Sequence, residues 1–171
     1  MNIVLTGMPS SGKTETAKAL NKLIENYALI DTDEKIIQKE KMSVNEIFAL
    51  KGEEYFRKIE TAVLKEVLEN DNQIISSGGG IIKRDENVKL LKEKAVIAYL
   101  KADINTLYER ARKSSERPLL NGGNLREKLE KLYKERKEKY EQAHIIINTE
   151  EMTPYETAEK IMEKINEYYK R

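Results

Sequence analysis

Gly7-Met8-Pro9-Ser10-Ser11-Gly12-Lys13-Thr14 follows the apolar run Asn2 to Thr6 without a gap and leads straight into a stretch of helical periodicity. Glycines at the two ends of such an octapeptide let the backbone curl until successive N–H groups point inward at an anion, and the positive end of the following helix reinforces them. Lys13 then reaches the outer phosphates of a nucleoside triphosphate, and Thr14 offers a hydroxyl to the magnesium ion that accompanies them. Gly7, Ser10, Ser11, Gly12, Lys13 and Thr14 are therefore the expected nucleotide contacts, in a strand, loop and helix that must be contiguous in the fold.

The rest of the chain repeats that rhythm. Short apolar runs at Asn2 to Thr6, Ala28 to Ile30, Gln73 to Ser76, Ala95 to Leu100 and His144 to Ile147 read as strands. Between them lie amphipathic patterns: Lys13 to Glu25 with Ala17, Leu20 and Ile24 on one face; Glu53 to Glu69 with Phe56, Ile59, Val63 and Val67; and Tyr155 to Tyr169 with Ala158, Ile161, Ile165 and Tyr168. Ser43 with Glu46, Asn124 with Glu127, and Thr153 with Glu156 have capping-box spacing, and Pro154 takes the favoured first helical position. Strand and helix in alternation predict an α/β fold, a parallel sheet covered by helices on both faces. With 171 residues, no internal repeat and no linker, one domain spanning 1–171 is expected.

Charge narrows the function classes. Lys and Arg number 31 against 30 Asp and Glu, so no net field recruits nucleic acid or an anionic membrane, and no basic patch is interleaved with aromatics. The absence of cysteine excludes disulfides, thiol catalysis and thiolate metal sites, and fits a reducing compartment. No signal-like start or long apolar stretch is present, and a cytoplasmic location is expected.

In open parallel sheets, ligands collect at the carboxyl ends of the strands. Here the second predicted strand runs into Asp31-Thr32-Asp33 and the third into Ser77-Gly78-Gly79-Gly80. Aspartates in such a turn cap the next helix or, beside a triphosphate, divide two tasks: one holds the water shell of magnesium and the other takes the proton of an attacking hydroxyl. Three glycines make either a tight turn or a bare backbone that a ligand approaches closely.

Taken in order, the phosphate loop, Asp31-Thr32-Asp33, Gly52-Glu53-Glu54-Tyr55-Phe56-Arg57, Gly78-Gly79-Gly80, Arg117-Pro118-Leu119-Leu120 and Tyr133-Lys134-Glu135-Arg136 with Tyr140 and Ala143 resemble the successive signatures of the shikimate kinases. The resemblance runs from Gly7 to Ala143. It implies a three-layer P-loop kinase fold with sheet order 2-3-1-4-5, a substrate-binding segment at about 32–60 and a lid at about 112–124. It further implies ATP as co-substrate, Mg2+, and transfer of the terminal phosphoryl group to the 3-hydroxyl of shikimate, a step toward the aromatic amino acids, by a monomer acting on small molecules.

By that resemblance Arg57 and Arg136 clamp the carboxylate of shikimate, for which a guanidinium supplies two parallel donors and a lysine does not. Asp33 binds and orients the ring hydroxyl, Asp31 helps hold magnesium through water, and Gly78, Gly79 and Gly80 pass behind the ring with their N–H groups available to it. Arg117 sits in the lid, ahead of Asn121-Gly122-Gly123, and meets the charge on the transferring group while the lid excludes water. Arg112, with Arg110, flanks the adenine. His144, the one histidine, reads as structural.

Three other readings compete. A GTPase switch needs a base-reading Asn-Lys-x-Asp, and Asn21-Lys22-Leu23-Ile24 lacks the aspartate. A kinase of gluconate or of a nucleoside monophosphate would not need the set of Arg57, Arg136 and Asp33. A silent, kinase-shaped binding module would be expected to have lost Lys13, Thr14, Asp31 or Asp33, and all four are intact.

Overall fold

The structure is a computed structural model and describes residues 1–113 and 124–170. Its elements in chain order are β1 (Asn2–Thr6), α1 (Lys13–Leu23), β2 (Ala28–Asp31), α2 (Thr32–Glu40), α3 (Val44–Val67), β3 (Gln73–Ser76), a 3₁₀ turn (Ile81–Lys83), α4 (Asp85–Lys94), β4 (Ala95–Lys101), α5 (Ile104–Lys113), α6 (Leu125–Tyr140), β5 (Ile145–Asn148) and α7 (Pro154–Tyr169). The strands form one parallel sheet in the order β2-β3-β1-β4-β5, as the resemblance implies.

Alternation along the strands sorts the core into two layers. Ile3 and Leu5 of β1, Ile74 of β3 and Val96, Ala98 and Leu100 of β4 turn toward α1 and α7, where they meet Ala17, Leu20, Ala158, Ile161 and Ile165. Val4, Ile75, Ile97 and Tyr99 turn the other way, onto Ile36, Phe56, Leu64, Leu91, Leu107 and Leu129 of the remaining helices. Burial on both faces explains why these strands read as unbroken apolar runs. Each fully buried aliphatic side chain contributes about 1.5–3 kcal/mol.

Four local features differ from the periodicity. The helix expected from Glu53 begins at Val44, behind a complete capping box of Ser43 and Glu46, and bends at Gly52, whose φ of 82° is open to glycine. A short helix, α2, starts at once behind β2 because Asp31 caps it, accepting from the N–H groups of Asp33 and Glu34. Tyr168 is 42% exposed, so the buried apolar stripe of α7 is Ala158, Ile161 and Ile165, with Thr157 buried beside it. His144 lies just ahead of β5, where its Nδ1 accepts the Ile97 N–H at 3.0 Å.

This architecture places the phosphate loop, Asp31-Thr32-Asp33 and Ser77 to Gly80 side by side, at the carboxyl ends of the adjacent strands β1, β2 and β3.

Candidate active site

The phosphate loop is tightly built. Gly7 has φ 152°, and a β-carbon there would stand 2.6 Å from Ser11 Oγ and 2.8 Å from the Leu100 carbonyl oxygen. The second contact is backbone and cannot yield. Gly12, the N-cap of α1, has φ 91°, and Ser10 takes φ 63°. Lys13 is buried and donates from Nζ to the carbonyls of Gly7 at 3.0 Å and Met8 at 2.9 Å. Thr14 Oγ1 lies 3.4 Å from Ser76 Oγ, at the end of the neighbouring strand.

A cavity of about 410 Å³ opens beside this loop. Lys13, Thr14, Asp31 and Ser76 line it together with Asp33, Arg57, Glu60, Gly78, Gly79, Gly80 and Arg136. Nucleotide-side and acceptor-side residues, spread over more than a hundred positions in the chain, therefore face one space. Gly7, Ser10, Ser11 and Gly12 shape the loop behind it.

The two aspartates are distinct. Asp31 Oδ1 caps α2, bonded by the Asp33 N–H at 2.9 Å and the Glu34 N–H at 3.3 Å, so the capping reading of this turn holds for that oxygen. The Asp33 carboxylate lies against Gly78, where a β-carbon would come within 2.6 Å of Oδ1. The glycine loop is thus shaped to the residues around it. The Gly78 N–H, expected to be free for a ligand, is given to Thr32 Oγ1 at 3.1 Å.

Both arginines are 8% exposed. Arg57 Nη1 donates to Glu60 Oε2 at 2.7 Å, its Nε approaches Glu53 at 3.4 Å, and its guanidinium lies over the ring of Phe56. A β-carbon on Gly80 would fall within 2.6 Å of Arg57 Cζ. Arg136, from α6, donates from Nη1 to the Gly79 carbonyl at 2.9 Å, while its buried Nε has no partner among the described residues. Arg57, Asp33, Arg136 and Glu60 all line the one cavity. Burial raises the Glu60 carboxyl above its ordinary range, with Arg57 pulling the other way. A carboxylate-bearing ligand fits here, between two guanidiniums and a carboxylate that accepts from hydroxyls.

Glu60 and the Tyr140 hydroxyl were not singled out from the sequence. Glu60 had a signal: in α3 it shares a face with Phe56, Val63 and Val67, and a charged residue on an apolar stripe calls for a buried partner. Of the proposed adenine neighbours, Arg110 binds the Thr149 hydroxyl and carbonyl beyond β5, whereas Arg112 is exposed and paired with Glu109. Arg117 and most of the expected lid lie outside the described residues.

A family model for shikimate kinase matches residues 9–166. Among curated proteins, the shikimate kinase of Thermodesulfovibrio yellowstonii is 40% identical over 163 residues, covering 95% of this chain and 94% of its own. That of Caldicellulosiruptor bescii is 39% identical over 161 residues, covering 94% and 93%. Among solved structures, shikimate kinase from Acinetobacter baumannii in complex with shikimate superposes with a TM-score of 0.92 at 32% identity, covering 97% of this chain and 93% of that one.

Proposed function

This chain belongs to the shikimate kinase family, and on that premise we propose how its residues carry the terminal phosphoryl group of ATP to the 3-hydroxyl of shikimate. The observation that carries the reading is the single cavity in which Lys13 and Thr14 face Asp33, Arg57 and Arg136.

Arg57 and Arg136 grip the ring carboxylate in a fork, which turns the hydroxyls toward Asp33. The 3-oxygen attacks the terminal phosphorus, its proton passes to the Asp33 carboxylate, and the bond to the bridging oxygen breaks with the electron pair leaving on ADP. Lys13 turns from the Gly7 and Met8 carbonyls to the phosphates and offsets their charge. Arg117, by family resemblance, arrives with the lid and meets the charge on the transferring group.

Thr14 and Asp31 line the cavity next to Lys13, a hydroxyl and a carboxylate suited to a hard cation that keeps most of its water. Among the described residues there is no group of three or more His, Cys, Asp or Glu that could hold a metal, and Thr14 and Asp31 would hold Mg2+ beside the phosphates of the nucleotide. When bound, Mg2+ supplies charge neutralisation at those phosphates.

The working unit in this reading is a single chain in the cytoplasm. The single chain follows from the family resemblance, and no described helix is long and apolar enough to cross a membrane.

Replacing Arg57 by lysine tests the acid grip. Loss of a fork worth about 1.5–3 kcal/mol raises the KM for shikimate by roughly tenfold or more and leaves that for ATP within about twofold. A parallel rise in both would make Arg57 structural.

A further inference from the structure

Tyr140 closes α6 four residues after Arg136, so the two side chains lie one above the other on the same face. Its ring is buried and stacks on Tyr99 with centroids 5.0 Å apart and planes inclined by 12°. Its hydroxyl lies 3.0 Å from the Gly7 carbonyl oxygen and 2.5 Å from the Gly79 carbonyl oxygen. Gly7 opens the phosphate loop, and Gly79 is the middle of the glycine loop behind the acid pocket. The two loops already touch, since a β-carbon on Gly79 would meet the Gly7 oxygen at 3.3 Å and Pro9 Cδ at 3.4 Å.

Each carbonyl has another donor, Lys13 Nζ on Gly7 at 3.0 Å and Arg136 Nη1 on Gly79 at 2.9 Å. Those two donors are long, charged side chains that phosphate and carboxylate draw toward themselves. The tyrosine is the fixed one, held by its ring stack and its helix. Burial raises its hydroxyl above the ordinary range, so it remains a proton donor at neutral pH.

We infer that Tyr140 is a positioning residue whose hydroxyl, shared by the Gly7 and Gly79 carbonyls, holds the nucleotide cradle and the acid pocket at the separation that phosphoryl transfer needs. This rests on the phosphoryl-transfer reading above. Each substrate makes its binding contacts within its own wall, so affinity does not depend on the seam between the walls. The distance from the attacking oxygen to the phosphorus does, and a shift of about 1 Å lowers the rate roughly a hundredfold.

Tyr140→Phe tests this, with Tyr99→Phe as the control that removes the hydroxyl from the other ring of the same stack. Because each carbonyl keeps a second donor, Tyr140→Phe folds with a Tm close to that of the parent. The expected result is a kcat lowered tenfold or more, dissociation constants for ATP and for shikimate, each measured alone, within threefold of the parent, and an unchanged kcat in Tyr99→Phe. A kcat lowered less than tenfold overturns the inference, as does a loss matched by weaker binding of both substrates or an equal loss in Tyr99→Phe. A parent that makes no shikimate phosphate strikes down the functional reading itself and the role of Tyr140 with it.

Discussion

Arg57 Nη1 is held at 2.7 Å by Glu60 Oε2, so the guanidinium that faces the acid pocket is braced from behind by a carboxylate only 1% exposed. The pair lies one helical turn apart on α3, and the Arg57 head also rests on Phe56. Aiming of the arginine is therefore built into the helix before any ligand arrives.

Glu60→Gln keeps the shape and an acceptor but removes the charge that fixes Arg57. The KM for shikimate rises about tenfold while that for ATP stays within about twofold, on the premise that one charge-assisted bond is worth roughly 1.5–3 kcal/mol. Burial raises the Glu60 carboxyl above its ordinary 4.5, so the folded state binds this proton more tightly than the unfolded one. Its contribution to stability is complete below pH 4.5 and is lost as pH rises through the raised value. The Tm of the parent minus that of Glu60→Gln accordingly falls with rising pH across that window, as a calorimetric pH series checks. A flat difference would remove the buried carboxyl from the pH dependence of stability.

Two glycine substitutions separate side-chain from backbone crowding. In Gly80→Ala the new methyl enters the Arg57 guanidinium, the movable end of a long side chain, so the protein folds but binds shikimate more weakly, with ATP binding unchanged. In Gly7→Ala the methyl meets the Leu100 carbonyl at 2.8 Å, at φ 152°, and neither can give way. Its Tm falls more than that of Gly80→Ala. Thermal melts and titrations of each substrate check the pair, and equal melting temperatures would contradict it.

His144 acts on stability. Its Nδ1 accepts the Ile97 N–H, and burial lowers its pKa below the ordinary 6.5. A depressed pKa means a contribution present above pH 6.5 and lost as pH falls through the folded value. The parent therefore loses Tm from pH 7 toward pH 5 more steeply than His144→Gln, which has no proton to gain. Parallel slopes would show that the proton on His144 does not matter.

Much of this was legible in the residues. Strands β1, β3 and β4, buried on both faces, leave unbroken apolar runs, and the phosphate loop anchors their order. The acceptor side was legible through motifs, because Arg57, Asp33 and Arg136 are too far apart in the chain for spacing alone to join them. What escaped depends on tertiary neighbours. Tyr168 continues the periodicity of Ala158, Ile161 and Ile165, yet it stays exposed, in edge contact with the rings of His144 and Tyr169. Of the nine residues of α2, Thr32 and Ile36 are buried, too few for a period to show. Glu60 is a surface residue by type, yet the α3 face it shares with Phe56, Val63 and Val67 turns into the core, where it pairs with Arg57. Tyr140 stood in a motif, but nothing in a linear string tells that its hydroxyl reaches two carbonyls, at Gly7 and Gly79, more than fifty residues apart in the chain.

The most direct measurement is a coupled assay of ADP release from the purified protein with ATP and Mg2+, with and without shikimate. The account predicts ADP formation that depends on shikimate and yields shikimate 3-phosphate in equal amount, with little turnover on quinate, gluconate or AMP. Equal turnover with any of these in place of shikimate, or ADP release indifferent to all of them, would contradict it.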